Sequence, residues 1–403
     1  MTNLHLPKRP PRFVRRAVAA ALVIAIGASG CADGGGSSTA LVETSGPVVE
    51  TTSVVPTLPD TSAPATSTTS APTTRPPADS VVGAERGVFP DDDWELGELP
   101  PEVDPAALDA AVDAAFGAAD AAARVRSIVI VQGGRIVYER YHPLDGPDTI
   151  MQSFSVAKSI TSAAIGLLVG DGLVDVEERA PIALWDDPVD PRHAITLEHL
   201  LHMASGLQYE EQYGPGSQVL GMMAAPVASE FIASFPLEAE PGTLFDYSTG
   251  TTAILAGIVY DVLGGTAEGD AYLQQRLFEP LGMTTVELQR DQAGRWVGGF
   301  GANATTRDFA RFGLLFANDG VWDGERILPE GWVEYSRTPS PSNAQYGAQW
   351  WMFRDGAFEA RGLFGQVVLV SPRNDLVMAI NTTSGGDADT LLGAVYPMFD
   401  GME

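Results

Sequence analysis

Cysteine is almost absent from this 403-residue chain. Cys31 is the only one, so no internal disulfide can form and no cysteine set can hold a metal. Lysine is nearly as scarce: Lys8 lies near the N-terminus, and beyond it Lys158 is the only lysine. Positive charge is short overall, with 24 Lys and Arg against 52 Asp and Glu and a formal net charge of −28. That balance argues against nucleic acid or an anionic surface as partner; it favours solubility and says nothing about fold. One apolar run, Ala17 to Ala28, is too short to span a bilayer comfortably, and no later segment approaches spanning length. The chain also lacks a Gly-x-Ser-x-Gly elbow, a His-Glu-x-x-His helix and glycine-rich phosphate loops. Those absences disfavour an α/β-hydrolase, a zinc protease helix and a nucleotide site. No internal repeat is visible.

What is present falls into three parts. Residues 1–31 read as a secretory leader: Arg9, Arg12, Arg15 and Arg16 precede the apolar run, and Ala28-Ser29-Gly30-Cys31 follows it. Small residues before a cysteine resemble a bacterial lipobox, which implies cleavage before Cys31, lipid on its sulfur and an extracytoplasmic chain anchored to the cell membrane. Residues 32–85 are rich in Ser, Thr, Pro, Ala, Val and Gly. Such a composition cannot bury a core, and as a flexible coil it would reach on the order of 40 Å as a tether. Residues 86–403 are long enough for one large domain or two intimate ones.

In that last part, Pro105 to Ala123 carries Leu108, Val112 and Phe116 at helical spacing. Ser127–Val131 and Ile136–Tyr138 flank Gly133-Gly134 and predict a hairpin. A helix is predicted from Ser155 to Gly170, with Ile160, Ala163, Ala164, Leu167 and Leu168 on one core face. Between about 175 and 300 the pattern is loops and helices, including Leu197–Leu201 from a Thr196 cap and an apolar helix from Thr252 to Leu263. Thr306 to Phe316 is another helix. Strand patterns return at Trp350–Phe353, Val367–Val370 and Leu376–Ile380, before a final helix with Leu391, Leu392 and Val395. Strands at both ends and helices between them predict an α+β fold: one antiparallel sheet built from both chain ends, with flanking helices and an inserted all-α region at about 175–300.

Chemistry concentrates at Ser155-Val156-Ala157-Lys158. Residues three apart share a helix face, so the Ser155 hydroxyl and the Lys158 amine can meet. A serine needs a base to become a nucleophile, and a lysine can be that base once its pKa is pushed down. The first turn of a helix disfavours an ammonium and so helps. Arginine cannot substitute, because it does not deprotonate. His199 and His202, three apart on a helix, could share a metal but lack the surrounding pattern; they read as core or capping residues, and no metal or cofactor is implied.

The chain resembles the serine β-lactamase and penicillin-binding-protein superfamily, most closely the branch of class C β-lactamases, family VIII esterases and 6-aminohexanoate-dimer hydrolases. The resemblance rests on Ser155–Lys158, Leu200–Leu207, Tyr247-Ser248-Thr249, Ala304–Gly313, Tyr346–Trp351 and Gly365-Gln366, in family order. It implies a β-lactamase-like fold with the active site between an α/β and an all-α part. It implies that Ser155 is acylated, that Lys158 is its base and that Tyr247 relays a proton to or from the leaving group, with Lys158 as the neighbour that favours its phenolate or shares its proton. The backbone N–H groups of Ser155 and Gln366 would form the oxyanion hole. Tyr213 corresponds to a substrate-loop tyrosine.

Two departures shape the substrate expectation. Thr249 stands where the family's second motif usually has Asn. Leu363-Phe364-Gly365 replaces the usual Lys-Thr-Gly, removing a cation that binds substrate carboxylates, with Arg361 nearby in sequence. An apolar Leu363-Phe364 pair favours a small uncharged ester or amide, or a short peptide, over β-lactams and D-Ala-D-Ala peptides. On sequence alone the leading function is a membrane-tethered serine hydrolase working through an acyl-enzyme, and the alternatives are a non-catalytic cell-wall or ligand-binding relative of penicillin-binding proteins, or a β-lactamase or D-Ala-D-Ala peptidase.

Overall fold

The computed structural model describes residues 88–401, except 92, 118–124 and 384–386. The leader, Cys31 and the 32–85 tether lie outside the described residues.

The hairpin forms as the sequence predicts. Strands β1 (Val125–Gln132) and β2 (Arg135–Tyr141) are joined by Gly133 and Gly134, at φ 58° and 76°. Two successive left-handed residues make the mirror-image turn that matches strand twist, and glycine enters it without steric cost. The C-terminal strands are β3 (Trp351–Met352), β4 (Phe358–Gly362), β5 (Gln366–Ser371) and β6 (Leu376–Thr382). They build one antiparallel sheet of order β2-β1-β6-β5-β4-β3. β1 pairs with β6, Ile130 opposite Met378 and Val129 opposite Ala379, so the two ends of the domain meet at the sheet centre.

Both faces of the sheet are covered, which explains unbroken apolar runs such as Ile128–Val131. Ile128, Ile130, Leu369, Met378 and Ile380 face helices α1 (Pro105–Phe116) and α5 (Ala388–Val395). Val129, Val131, Val368, Val370, Val377 and Ala379 belong to the larger core. That core takes in α2 (Val156–Gly170), α3 (Thr249–Leu263) and α4 (Thr306–Ala317).

Several expectations need correction. α1 stops at Phe116, where Gly117 donates its N–H to Asp113 at 2.7 Å; residues 118–124 lie outside the described set. α2 was expected to bury one face, yet every residue from Val156 to Leu168 is buried. Its many small residues let neighbours close in from all sides, and a Cβ on Gly166 would lie 2.6 Å from the Trp332 ring. β4 was not expected at all. Its Phe-Glu-Ala-Arg-Gly sequence hides a buried Glu359 that pairs with Arg361 at 2.7 Å. Residues 175–300 are mainly short helices and turns but not wholly so, because Glu287–Leu288 pairs with Ala302–Asn303.

A buried glutamine joins the helices to the sheet region. Gln349, at φ 68°, donates from Nε2 to the carbonyl of Leu201 at 2.8 Å and accepts from the Thr252 hydroxyl at 2.8 Å. Its own carbonyl accepts from Ser159 of α2 at 2.7 Å. Next to it, Phe312 of α4 stacks on Trp350 with ring centroids 5.9 Å apart. Phe312 is fully buried. Phe312→Ala is expected to destabilise the domain by about 3–5 kcal/mol, read from the denaturant midpoint at unchanged slope.

Candidate active site

The segment before α2 is held from one side. Met151 bridges to Ala304, Ser153 accepts from the N–H of Ala302 at 2.9 Å, and the Ser153 N–H donates to Asn303 at 3.1 Å. Phe154 then takes φ 43°, a left-handed value rare for a bulky residue, and turns the chain into the helix. Ser155 occupies the N-cap position, but its side chain makes no capping hydrogen bond. Its hydroxyl instead lies 3.1 Å from Lys158 Nζ. Ser155 is half-buried and reachable, whereas Lys158 is only 1% exposed.

Lys158 Nζ has two further neighbours: Thr249 Oγ1 at 2.9 Å and the Gly299 carbonyl at 3.0 Å. Burial pushes its pKa down to about 8, and the charge of Glu211 partly opposes that shift. The Gly299 loop sits hard against α3, since a Cβ there would lie 2.7 Å from both Thr249 Cγ2 and the Thr249 carbonyl oxygen.

Tyr247 precedes α3 and packs among rings, 5.5 Å from Trp351 and 5.8 Å from Tyr346 between centroids. The Ser155 hydroxyl is near enough to its phenol to affect its titration, while Lys158 Nζ lies 4.9 Å from the ring centroid, over its face. Burial raises the phenol pKa well above its usual value, a shift the Ser155 hydroxyl only moderates. Of the two parts expected of Lys158 beside Tyr247, favouring the phenolate or sharing a proton, burial opposes the first. The amine addresses the π face, and burial favours the protonated phenol.

Gln366 opens β5 opposite Gly362 of β4. Its side chain accepts from the Thr382 N–H at 2.9 Å. A Cβ on Gly362 would lie 2.6 Å from the Ser153 carbonyl oxygen, 3.0 Å from Gln366 Cβ and 3.2 Å from Phe154 Cβ. That close approach brings the start of β5 to the start of α2. Phe364 sits at φ 67° and meets Phe154 edge-on at 5.3 Å. Leu363 is 42% exposed and Tyr213 49%. Arg361 turns elsewhere, to Glu359 and to Asp389 at 2.6 Å, and supplies no free cation. His199 closes the cap with Thr196, its Nδ1 accepting the Thr196 N–H at 3.2 Å. His202 is buried against Tyr335.

One residue of the site carries no sequence signal. Glu211 lies in an acidic, glycine-containing loop and looks like surface charge. In the structure Glu211 accepts the Thr249 N–H at 2.7 Å, the Thr249 hydroxyl at 2.5 Å and the Tyr213 hydroxyl. The only hint was Thr249 itself, standing where Asn was expected.

Residues 110–396 match the Beta-lactamase family model. The chain belongs to that family. It is a serine hydrolase of the β-lactamase and penicillin-binding-protein type, with the antiparallel sheet and helices of that fold. It is 28% identical over 301 residues to 6-aminohexanoate-dimer hydrolase of Paenarthrobacter ureafaciens, covering 66% of this chain and 74% of that one. A Bacillus anthracis structure provisionally assigned as a 6-aminohexanoate-dimer hydrolase superposes with TM-score 0.62 at 23% identity, covering 78% of this chain and 88% of that one. EstCE1, a hydrolase with promiscuous acyltransferase activity, superposes at 0.58 and 16% identity, covering 72% and 99%.

Because Gly299 touches Thr249 and accepts from Lys158, it tests how tightly this family member packs its site. Gly299→Ala is expected to cost about 1–3 kcal/mol of stability by overpacking. An unchanged denaturation midpoint would show that the loop gives way.

Proposed function

We propose that this protein hydrolyses small uncharged esters or amides through an acyl-enzyme on Ser155. The observation that carries the reading is Lys158: a fully buried amine, its pKa lowered toward neutrality, within hydrogen-bonding distance of a reachable serine hydroxyl. Neutral Lys158 takes the Ser155 proton as Oγ attacks the substrate carbonyl carbon. The carbonyl oxygen becomes an oxyanion, and the N–H groups of Ser155 and Gln366 receive it. As the tetrahedral intermediate collapses, the protonated Tyr247 phenol gives its proton to the departing oxygen or nitrogen. The Tyr247 phenolate then takes a proton from the water that attacks the acyl-enzyme, and protonated Lys158 returns its proton to Ser155 Oγ as the acid departs, so both groups regain their starting state.

The surroundings support the substrate class. Arg361 is engaged with two carboxylates, and the charges beside the site are Glu211, Asp246 and Glu238. Burial and those like charges push the Asp246 carboxyl up to about 6. A substrate carboxylate finds repulsion there, while exposed Leu363 and Tyr213 offer apolar surface. The leader and Ser/Thr/Pro-rich stretch support a second part of the proposal: the enzyme is extracytoplasmic and tethered to the membrane by lipid on Cys31.

Incubation with a fluorophosphonate probe and p-nitrophenyl butyrate is expected to label one site and release p-nitrophenol, and Ser155→Ala to abolish both. A labelled Ser155→Ala protein would overturn the assignment. Turnover should rise with pH through about 8, because only the neutral amine accepts a proton. Lys158→Arg should lose on the order of 10²–10⁴-fold despite its charge. Cys31→Ser should shift the protein from the membrane to the soluble fraction; unchanged partitioning would refute the lipid tether.

A further inference from the structure

We propose that Glu211 is a positioning residue that acts through Thr249 to aim the lone pair of Lys158 at Ser155, and that it fastens the Tyr213 loop to the same point. The proposal rests on the reading of Lys158 as the base.

The argument is a count of hydrogens. Lys158 Nζ has three oxygen neighbours: Ser155 Oγ, Thr249 Oγ1 and the Gly299 carbonyl. A carbonyl only accepts. Thr249 has a single hydroxyl proton, and that proton goes to Glu211 Oε1 at 2.5 Å, because a carboxylate only accepts. Thr249 Oγ1 therefore has only lone pairs left for Lys158. A neutral amine carries two hydrogens and one lone pair. Gly299 and Thr249 claim both hydrogens, and the lone pair is left facing the Ser155 hydroxyl. Without the carboxylate, the Thr249 hydroxyl could turn its proton into that lone pair, and Ser155 would lose its acceptor.

The clamp is fixed at both ends. Glu211 also takes the Thr249 N–H at 2.7 Å, one of the first amides of α3, where the helix dipole favours a negative group. Tyr213, whose ring lies half-exposed, donates its hydroxyl to the same Oε1. Movement of this loop is thereby coupled to the orientation of the amine. The titratable groups around the clamp are Lys158 on α2, Asp246 and Tyr247 ahead of α3, and Tyr209 and Tyr213 on the loop itself, with Glu238 beyond Asp246. Glu211 also favours the ammonium electrostatically. Removing its charge should move the acid limb of the rate profile to lower pH while slowing the step. Those opposed effects distinguish orientation of the base from simple support of a loop.

The test uses the full-length protein and p-nitrophenyl butyrate, with kcat and KM followed across pH. Glu211→Gln keeps the shape but offers an amide N–H to Thr249. It is expected to lower kcat about tenfold to a hundredfold, the worth of one charge-assisted hydrogen bond, to change KM less, and to shift the acid limb downward. Thr249→Val should lose a similar factor, and Thr249→Ser should recover most of it. In the Thr249→Val background, Glu211→Gln should cost less than about threefold, since its route is already cut. Wild-type kcat and an unmoved limb in Glu211→Gln would overturn the proposal, as would losses that multiply in the double variant. Should Glu211→Gln not fold, equal rates in the Thr249 Val and Ser variants would overturn it alone. Failure of the parent reading looks different: the wild-type protein itself would show neither fluorophosphonate labelling nor ester turnover.

Discussion

The amine of Lys158 is held out of water at 1% exposure, and most of the site follows from what that requires. A desolvated ammonium without partners costs several kcal/mol, so the chain either supplies acceptors or lets the group go neutral. Here both occur. Three oxygens ring Nζ, and burial still carries the pKa down to about 8. The ring of acceptors draws on α2, α3 and the Gly299 loop, so the amine cannot reach this state until those three pieces have packed.

That packing explains why α2 is buried on all sides. An amphipathic helix would leave its first turn beside solvent, where a lysine stays an ammonium. The small residues of α2 instead admit α3, Trp332 and the sheet at close range, and the helix reaches the surface only at its two ends, half-buried Ser155 at one and Val169-Gly170 at the other. Two strained backbone positions lie beside the Ser155 end. Phe154 turns the chain into α2, Phe364 turns it toward β5, and their rings meet. Non-glycine residues at such φ values cost of order 1–3 kcal/mol each and persist where the surrounding packing over-determines them. Gly362 is the counterpart: it has no side chain where β4 passes Ser153.

Electrostatics sets the character of the site. The family's third-motif cation is missing, and the one nearby arginine is spent on Glu359 and Asp389. What remains around Ser155 is one amine that loses its charge near neutrality, a phenol that keeps its proton and a group of carboxylates. That environment is what supports the proposal of an uncharged acyl substrate. The hydroxyl of Thr249, held by the carboxylate of Glu211, meets the amine at the position where the family's second motif usually places one asparagine.

By itself the sequence determined the sheet from both chain ends, helix α2 and the pairing of Ser155 with Lys158. These are local signals. Strand alternation, helical spacing and a three-residue interval all act within a few residues of chain, and a lone lysine beside a serine stands out in a lysine-poor protein. Gly133-Gly134 likewise announced its turn because few other residues take two left-handed angles in succession. Tertiary structure alone decided the rest. β4 was hidden because Glu359 and Arg361 neutralise one another only once the strand is in place. The burial that favours a protonated Tyr247 comes partly from Trp351 and Tyr346, about a hundred residues away in sequence. Glu211 looked like any acidic loop residue, because its partner Thr249 is brought to it by folding. Spacing along the chain can place two groups on one helix, but the dielectric around them and the direction of each hydrogen bond are set by residues that only the folded state makes neighbours.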